Sequence, residues 1–309
     1  MKNFKALDKI LVIGGTGFIG SHLVKRCLKD TENVSVLSLP EKTEPIKDVE
    51  YITADLCDKP SLAKALKARA FDYVFNLGGY IDHTHYFKGG RRVIEAHLIG
   101  LMNLLDSIDW DRLKGFVQIG SSDEYGGLLA PQNEAMREMS ISPYSFAKTA
   151  ASHFIQMISK TEDFPGVVAR FFLVYGPGQD DRRFLPQIIK ACLNGEEFKT
   201  SEGKQLRDFC YVEDAVQALA QLALSNSAKG KIFNVGSGQA VTIREMVEKI
   251  VKITGKGTPL WGTYPYRKGE NMQLYADTSL IKEKIGWQPQ ISLEEGLKRT
   301  VEFYKISED

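Results

Sequence analysis

The sequence predicts an α/β fold, in which a doubly wound parallel sheet is joined by a smaller α/β lobe on its C-terminal side. Short apolar runs rich in Val, Ile, Phe and Leu alternate with longer segments of helical period, an order typical of a parallel sheet with helices on both faces. The regularity changes after Gly176, and no linker rich in Ser or Pro follows. At 309 residues the chain suits one large domain, predicted over 1–175, and an interwoven lobe over 176–309.

The individual elements follow from the apolar periodicity. Strands of the main sheet are predicted at 10–13, 34–39, 51–53, 73–77, 116–119 and 167–172, with helices at 18–29, 61–69, 91–107 and 143–159. Pro60, two residues after Asp58, marks a helix start, because proline lacks the N–H that a first helical turn leaves unpaired. In the lobe we expect helices at 184–193, 242–254 and 293–305 and strands at 209–212 and 231–235.

The composition argues against several classes of protein. There are 40 Lys and Arg residues against 39 Asp and Glu, with the signs interspersed, so no nucleic-acid partner is expected. No apolar run approaches the roughly 18 to 20 residues that a membrane span requires. We therefore expect a cytoplasmic protein with no membrane partner. Four separated cysteines without a C-x-x-C pair argue against a zinc site and a disulfide framework, and these are Cys27, Cys57, Cys192 and Cys210.

Between the first strand and the first helix lies a glycine-rich segment, 14–20, with the sequence GGTGFIG. In this position backbone N–H groups can approach a pyrophosphate at the start of the helix. Gly14 permits a tight turn, Gly17 removes a side chain that would block the approach, and Gly20 lets the helix pack on the strand. The segment therefore predicts dinucleotide binding and a Rossmann-type sheet.

The choice between NAD and NADP is usually made at the end of the second strand. An acid there would hydrogen-bond the ribose of NAD and repel the 2′-phosphate of NADP. Ser38 ends this strand without an acid, and Lys42 follows nearby, which favours NADP(H). Glu41 in the same stretch keeps NAD possible.

A tyrosine and a lysine form a candidate acid/base pair. Tyr144 and Lys148 are four residues apart on a predicted helix, so they share one face. A cation one turn from a phenol favours the phenolate, as does the positive ring of an oxidised nicotinamide. Upstream, segment 118–126 (QIGSSDEYG) ends the fifth strand at the carboxyl edge of the sheet, where ligands bind. A hydroxyl there can stabilise charge that develops in hydride transfer.

Three segments in this order carry a resemblance to a known family: GGTGFIG at 14–20, the serine segment at 118–126 and Y-x-x-x-K at 144–148. The chain resembles the extended short-chain dehydrogenase/reductases, and among them the NAD-dependent epimerase/dehydratase family of nucleotide-sugar enzymes. The resemblance extends from about residue 10 to residue 304.

The resemblance implies a triad formed by Ser122 (or its neighbour Ser121), Tyr144 and Lys148, with Glu124 as a further candidate catalytic residue. Asp55 would match the acidic residue that contacts adenine in this family. The expected cofactor contacts are Gly14, Thr16, Gly17, Phe18, Ile19, Gly20, Ser38, Asp55, Leu56, Leu77, Gly78, Tyr144 and Lys148.

Two later segments resemble the substrate half of nucleotide-sugar enzymes. RFFLVYGPG at 170–178 is similar to R-x-F-N-V-Y-G-P-G, with Leu173 where the family often has an Asn that contacts the diphosphate. Segment 203–214 resembles G-x-Q-x-R-D-F-x-Y-V-x-D, whose Arg reaches the ribose or phosphate of the nucleotide. The resemblance thus implies a nucleoside-diphosphate sugar as partner, and the expected substrate contacts are Asp123, Arg207, Arg267 and Tyr80.

The segment after the fourth strand departs from the family pattern. Where relatives have an Ala-rich loop, residues 76–85 (NLGGYIDHTH) contain two glycines and a polar cluster. We expect this segment to line the sugar pocket. His83 and His85 lack the further ligands that a metal site needs, so no metal is predicted.

The resemblance implies hydride transfer between a nicotinamide and C4 of a hexose, with Tyr144 moving the hydroxyl proton. Reduction of a 4-keto sugar, 4-epimerisation and 4,6-dehydration share this half-reaction. The segment before Tyr125 is one residue shorter than the T-D-E-x-Y-G of dehydratases and looks like that of GDP-4-keto-6-deoxymannose reductases, while 203–214 looks like CDP-abequose synthases. We therefore predict a 4-ketoreductase. An epimerase is the second candidate, and a dehydratase is the third. The alternative from a different functional class is a protein that binds a dinucleotide without catalysing a reaction.

Two predicted helices, 91–107 and 143–159, correspond to those that pair as a four-helix bundle in dimers of the family. The resemblance therefore implies a homodimer, although the apolar faces of these helices could instead be internal. Glycan biosynthesis is the setting that the implied substrate suggests.

Overall fold

The structure is a computed structural model that describes residues 2–40, 45–266 and 269–308. Its strands are β1 (Ile10–Ile13), β2 (Val34–Ser38), β3 (Glu50–Thr53), β4 (Tyr73–Asn76), β5 (Gly115–Ser121), β6 (Gly166–Phe171), β7 (Leu173–Tyr175), β8 (Glu197–Lys199), β9 (Leu206–Tyr211), β10 (Ile232–Val235), β11 (Ala240–Thr242), β12 (Thr258–Leu260) and β13 (Gln273–Leu274). Its helices are α1 (Phe18–Cys27), α2 (Lys59–Leu66), α3 (Arg91–Ile94), α4 (Gly100–Leu105), α5 (Pro143–Thr161), α6 (Phe184–Leu193), α7 (Val212–Ala223), α8 (Ile243–Thr254), α9 (Ser279–Ile285) and α10 (Leu293–Glu308). Single 3-10 turns occur at Tyr86–Lys88, Ser122–Tyr125 and Asn226–Ala228.

Within the described residues, seven parallel strands form the main sheet in the order β10-β6-β5-β4-β1-β2-β3. All residues of β1, with the sequence ILVI, are buried, which suits a central strand covered on both faces. The strand order reverses beside β1, which pairs with β2 on one side and β4 on the other. The carboxyl ends of β1 and β4 therefore frame the crevice in which ligands of such sheets bind. The predicted doubly wound sheet is confirmed.

Apolar side chains cover both faces of the sheet. One cluster includes Leu23 and Val24 of α1 together with much of α7, and the other includes residues of α2, α4 and α5 such as Leu62 and Ile155. Each large apolar side chain buried in this way contributes about 2 kcal/mol relative to exposure. None of the described helices combines the length and the apolar composition that crossing a membrane would need.

The C-terminal lobe is interwoven with the main domain. β10 follows the predicted boundary at 175, yet it pairs with β6 as the edge strand of the main sheet. β7, β9, β11 and β13 form a second sheet, and β8 pairs with β12. Helix α7, which packs on α1, was not predicted, because the β-branched Val212 at its start continues the apolar run of β9. The division of the chain at 175 stays a prediction.

The predicted helix at 91–107 is helical from α3 to α4, with a wider π-helical turn at Glu95–Ile99 between them. Such turns often mark functional sites. His97 lies in this turn, is buried, and packs its ring against that of Tyr144 with ring centroids 5.3 Å apart. Its Nε2 donates to the carbonyl oxygen of Tyr80 at 2.8 Å. The π turn therefore connects α3 and α4 to the segment after β4.

Candidate active site

The turn between β1 and α1 has the geometry of a phosphate-binding loop. Gly14 has a φ of +71°, which a residue with a side chain rarely adopts. A Cβ on Gly20 would lie 2.1 Å from the carbonyl oxygen of Gly14, so helix packing requires glycine there. A Cβ on Gly17, in contrast, would approach only that same oxygen, at 3.4 Å. Protein packing does not demand a glycine at position 17, and its bare face leaves room for a ligand.

The start of α1 has the properties of an anion site. Gly17 is the residue before the helix, and no side chain caps the helix there. The backbone N–H groups of the first turn, which begins with Phe18 and Ile19, lack partners within the helix. Together with the positive end of the helix dipole, they suit a pyrophosphate. These residues therefore fit a dinucleotide cofactor, with Thr16 in the turn that leads to the helix.

Two further segments meet this turn. A Cβ on Gly14 would lie 3.1 Å from the carbonyl oxygen of Leu77, which follows β4. A Cβ on Gly78 would lie 2.8 Å from Cδ1 of Leu56, in the segment after β3. The structure thus brings Leu77 and Gly78 to the phosphate-binding turn and Leu56 to Gly78, and a role for the three in cofactor binding stays a prediction.

The other predicted cofactor residues lie at strand ends. Asp55 follows β3, and its Oδ1 accepts a hydrogen bond from the backbone N–H of Cys57 at 2.8 Å, which orders the turn. Ser38 ends β2, and residues 38–40 carry no acidic side chain. Glu41 and Lys42, on which the NADP prediction also depends, lie outside the described residues.

Tyr144 and Lys148 project from the first turns of α5 and are buried, with 5% and 4% of each residue exposed. Ser142 caps this helix by accepting a hydrogen bond from the backbone N–H of Ser145 at 3.1 Å. Lys148 Nζ donates to the carbonyl oxygen of Ile119 at 3.0 Å and lies 5.8 Å from the centre of the Tyr144 ring. The helix start therefore holds both side chains against the end of β5.

The structure separates the two serines between which the sequence left a choice. Ser121 ends β5, and its side chain is close enough to the Tyr144 phenol to oppose the rise of that phenol's pKa. The same hydroxyl accepts from the backbone N–H of Asp123 at 3.2 Å. Ser122 begins the 3-10 turn and is buried. The geometry thus favours Ser121 over Ser122 as the partner of Tyr144.

Burial dominates the electrostatics of the acid/base pair. It raises the pKa of the Tyr144 phenol well above the ordinary value, and the negative charge of Asp123 raises it further. Burial also lowers the pKa of Lys148 to about 8, while the charge of Glu124 opposes this shift. The sequence suggested that the cation would favour the phenolate. In the structure burial and the charge of Asp123 instead raise the pKa of the phenol, which favours its protonated form.

Glu124, predicted to be catalytic, is fully buried behind the site. Its Oε1 accepts a hydrogen bond from the backbone N–H of Ser121 at 2.8 Å. Its Oε2 accepts from Ser152 Oγ at 2.9 Å and from Arg170 Nη2 at 2.6 Å. Position 120 must be glycine for this, since a Cβ there would lie 2.6 Å from Oε1. The carboxylate therefore joins the end of β5 to α5 and β6.

Arg170 is the buried cation of this network. Its Nη2 also donates to Glu138 Oε1 at 2.8 Å, and its guanidinium lies 4.5 Å from the centre of the Tyr125 ring. Two carboxylates neutralise this buried cation through Nη2, while its Nε and Nη1 have no hydrogen-bond partner among the described residues. Arg170 thus fixes the position of Glu124, and with it the 3-10 turn.

A group of charged side chains lies in front of Tyr144. Asp123 Oδ2 is 3.6 Å from His83 Nε2, and the His83 ring is edge-on to that of Tyr144 with centroids 5.5 Å apart. Burial raises the pKa of Asp123, while the charges of His83, Arg183 and Arg207 oppose the rise. Arg183 was not predicted from the sequence, because the DDRR run at 180–183 is typical of a solvated surface. Its place just before α6, in the loop that follows β7, was the available signal.

The other residues predicted to contact the substrate are Arg207, Tyr80 and Arg267, and the structure describes the first two. Arg207 Nη2 donates to Glu270 Oε1 at 2.6 Å, so this guanidinium is already paired with a carboxylate. Tyr80 is 45% exposed beside the site, and Arg267 lies outside the described residues. Among residues 2–40, 45–266 and 269–308, no three His, Cys, Asp or Glu side chains converge as metal ligands would.

A phosphate-binding turn at the reversal of the strand order, with a Ser, a Tyr and a Lys at the same sheet edge, defines a dinucleotide-dependent enzyme of the short-chain dehydrogenase/reductase type. The model of the NAD dependent epimerase/dehydratase family matches residues 10–236, which is most of the chain. The chain belongs to this family, as the sequence motifs predicted, and it is an enzyme of this NAD-dependent class.

Similar proteins come from several organisms. dTDP-glucose 4,6-dehydratase 1 of Escherichia coli K12 is 27% identical, over 96% of this chain and 92% of that protein. The low-salt glycan biosynthesis protein Agl12 of Haloferax volcanii is 29% identical, over 96% of this chain and 98% of that protein. Among solved structures, UDP-glucuronic acid 4-epimerase from Bacillus cereus, in complex with UDP-glucuronic acid and NAD, matches with a TM-score of 0.84. It is 26% identical and covers 97% of this chain and 99% of its own.

Proposed function

We propose that this enzyme is a nucleotide-sugar oxidoreductase that reduces C4 of an NDP-4-keto-6-deoxysugar. The observation that supports this most directly is Tyr144, a buried phenol whose pKa is raised by desolvation and by the charge of Asp123, which favours its protonated form. In a reduction the carbonyl oxygen receives a proton while its carbon receives a hydride, so a protonated donor suits the first step. A bound nicotinamide cofactor supplies the hydride.

The same phenol supports a reduction rather than an oxidation as the proposed reaction. Oxidising an alcohol first would require Tyr144 as the phenolate, against the effects of burial and of Asp123. An oxidised nicotinamide would add a positive charge that favours the phenolate, whereas a reduced ring adds none. The protonated phenol is therefore matched to the reduced form of the cofactor, which a reductase consumes.

Lys148 and Ser121 assist the proton transfer in this proposal. The Lys148 ammonium, which donates to the carbonyl oxygen of Ile119, stabilises the phenolate that remains after Tyr144 has given up its proton. Ser121, whose side chain lies beside the Tyr144 phenol, offers its hydroxyl to the same substrate oxygen. Each group thus acts on charge that develops only as the reaction proceeds.

We assign Glu124 a positioning role in place of the predicted catalytic one. Both of its oxygens are occupied by partners within the protein, and the side chain is fully buried. Its contact with the backbone N–H of Ser121 sets the end of β5, and its contact with Ser152 sets α5 one turn beyond Lys148. Glu124 thereby fixes the distance between the hydroxyl of Ser121 and the phenol of Tyr144.

The proposed substrate class rests on the charged groups at the sheet edge and on the nucleotide-sugar names of the relatives. Arg207 would bind the diphosphate by exchanging Glu270 for a phosphate oxygen, which a planar guanidinium does well. Arg267 is the proposed second phosphate contact. Asp123 and Tyr80 are proposed to contact the sugar.

For the cofactor we propose NADP(H), with NAD(H) also accepted. The described end of β2, residues 38–40, has no carboxylate to repel a 2′-phosphate. The proposal is tested by comparing the dissociation constants of NADPH and NADH. Tighter binding of NADH would contradict it.

A 4-epimerase is the second candidate, favoured by the similarity to the Bacillus cereus epimerase. A 4,6-dehydratase comes third. Asp123 and Glu124 are the acids available for an elimination, but only Asp123 stands in front of Tyr144, since Glu124 is bound to Arg170.

We further propose a cytoplasmic homodimer in glycan biosynthesis. Exposed apolar side chains on α4 and α5, among them Met102, Phe146 and Met157, support pairing of these helices between two copies. The four cysteines are free thiols, in keeping with a reducing compartment. A monomeric mass by light scattering at working concentration would exclude the dimer.

The decisive experiment follows the cofactor. The purified protein is examined by native mass spectrometry for retained NAD, and then mixed with NADPH or NADH and with CDP-, GDP-, dTDP- or UDP-linked 4-keto-6-deoxy sugars. Stoichiometric loss of the reduced cofactor with one of them would support the reductase and name its substrate. A tightly retained NAD without net consumption would favour the epimerase or the dehydratase instead.

A further inference from the structure

His97 lies between the acid/base tyrosine and the segment that follows β4. It is buried in the π-helical turn Glu95–Ile99, with 5% of the residue exposed. Its ring is edge-on to that of Tyr144, with centroids 5.3 Å apart and an angle of 82° between the planes. Its Nε2 donates to the carbonyl oxygen of Tyr80 at 2.8 Å. One imidazole therefore contacts both the proposed proton donor and a residue proposed to bind the sugar.

The segment after β4 is shaped to receive this ring. Gly79 has a φ of +116°, and a Cβ there would lie 2.2 Å from Cε1 of His97 and 2.6 Å from its Nδ1. A side chain at position 79 would therefore push the imidazole away from Tyr80 or push the segment out of place. Because glycine has no side chain, the backbone can close on the ring.

The imidazole of His97 is neutral in these surroundings. Burial lowers the pKa of His97 to about 3, and the positive charge of Lys148 contributes to the shift. A carbonyl oxygen only accepts hydrogen bonds, so the single ring proton is on Nε2. Nδ1 has no hydrogen-bond partner among the described residues. His97 therefore adds no charge beside Tyr144, and the proposed reduction assigns it no step.

We propose that His97 is a positioning residue whose two contacts have separate effects on the reaction. The ring holds the phenol of Tyr144 towards the oxygen at C4, and the Nε2–H group holds the backbone of Tyr80 beside the sugar. The identity of the sugar here rests on the proposed function. A displaced phenol would slow proton transfer without changing how the sugar binds, whereas a released Tyr80 would weaken binding of the sugar.

Three substitutions at position 97 separate the two contacts. His97→Gln keeps a donor with about the reach of Nε2 but removes the ring, so kcat should fall about 10- to 100-fold while KM changes by less than about 2-fold. His97→Phe keeps a ring beside Tyr144 but removes the donor. Its KM for the sugar nucleotide should rise about 10-fold, the contribution of one hydrogen bond, with kcat within about 2-fold of the parent. His97→Leu removes both and should show both changes.

The assay uses the full chain and whichever reaction at C4 the parent enzyme catalyses. The probes are the same four 4-keto-6-deoxy sugar nucleotides with NADPH or NADH, and UDP-glucose and dTDP-glucose with NAD, with products identified by NMR. Tyr144 would move the oxygen proton at C4 in reduction, epimerisation and dehydration alike, so the variants can be compared in any of them. Thermal melting checks that each variant folds. If His97→Phe does not fold, the difference between His97→Leu and His97→Gln gives the effect of the donor.

The outcomes separate this inference from the proposed function. Reduction in which His97→Gln and His97→Phe show the same change in kcat and KM would overturn the inference and leave the reductase intact, because a ring that only fills space gives one common defect. Unchanged kinetics in all three variants would overturn the inference as well. The expected opposite effects on kcat and KM, in an enzyme that epimerises or dehydrates, would support the inference and overturn the reductase. A parent enzyme that turns over none of the probes would remove both.

Discussion

Asp123 and Glu124 are consecutive carboxylates in one 3-10 turn, yet they lie in opposite surroundings. Asp123 is on the front of the turn with 35% of its side chain exposed, and its neighbours His83, Arg183 and Arg207 act on it through charge. Glu124 is on the back, with none of its side chain exposed, and is bound at 2.6 Å to Arg170. A helix with three residues per turn directs successive side chains to different sides.

Adjacency in sequence therefore does not make two acids a catalytic pair. The Asp123 carboxylate is incompletely hydrogen-bonded, so a bound ligand can change its partners. Both oxygens of the Glu124 carboxylate are hydrogen-bonded within the protein, so its role is to hold the neighbouring residues in position. Variants can therefore separate the chemistry of Asp123 and Tyr144, on the front of the turn, from the rigidity that Glu124 gives to its back.

Tyr144→Phe removes the reacting group on the front and should have the largest effect. We expect kcat for reduction to fall about 1,000-fold, because a phenylalanine has no proton to donate. Steady-state consumption of reduced cofactor measures this loss. Cofactor affinity and thermal stability should stay near those of the parent enzyme, and a loss below 10-fold would show that another group donates the proton.

Glu124→Gln weakens the back of the turn without touching substrate. We expect kcat to fall by about 10- to 100-fold, since a small displacement of Ser121 relative to Tyr144 misaligns the transfer, while KM changes little. Glu138→Gln is the matched control, because Glu138 binds the same Arg170 Nη2 but does not bind Ser121 or Ser152. Equal losses in the two variants would mean that Arg170 pairing alone matters, and the positioning role would fall.

The stability of the two sides should differ as well. Glu124→Gln should lower the free energy of unfolding by about 2 kcal/mol, the cost of weakening buried hydrogen bonds to a charged partner. Asp123→Asn should change it by less than about 0.5 kcal/mol, because its partners are held through charge and the side chain meets solvent. Urea denaturation of both variants gives the comparison. A greater loss of stability in Asp123→Asn than in Glu124→Gln would contradict the assignment of Asp123 to the front and Glu124 to the back of the turn.

Much of the fold was predictable from sequence because it depends on local patterns. The buried ILVI strand, GGTGFIG and the Pro143 helix start each combine periodicity with a position-specific residue, and the structure has elements at all three. The site was predicted less completely. The choice of Ser121 over Ser122 and the burial of Glu124 depend on which way a short turn faces, and Arg170 decides this from a strand 46 residues away in the chain.

The pH dependence of the reaction should connect the two sides of the turn through Lys148. Burial lowers the pKa of this lysine to about 8, and the charge of Glu124 counteracts the shift. The ammonium is therefore present below about pH 8 and is lost as the pH rises through it. Because the ammonium stabilises the phenolate left on Tyr144, kcat should decline above about pH 8 by up to tenfold per pH unit.

In Glu124→Gln the opposing charge is gone, so the pKa of Lys148 falls and the decline should begin at lower pH. Glu138→Gln, measured over the same range, should keep the parent profile. A common profile for all three enzymes would show that Glu124 acts through geometry alone, and activity that stays flat to pH 10 would show that the reaction does not need the charge of Lys148.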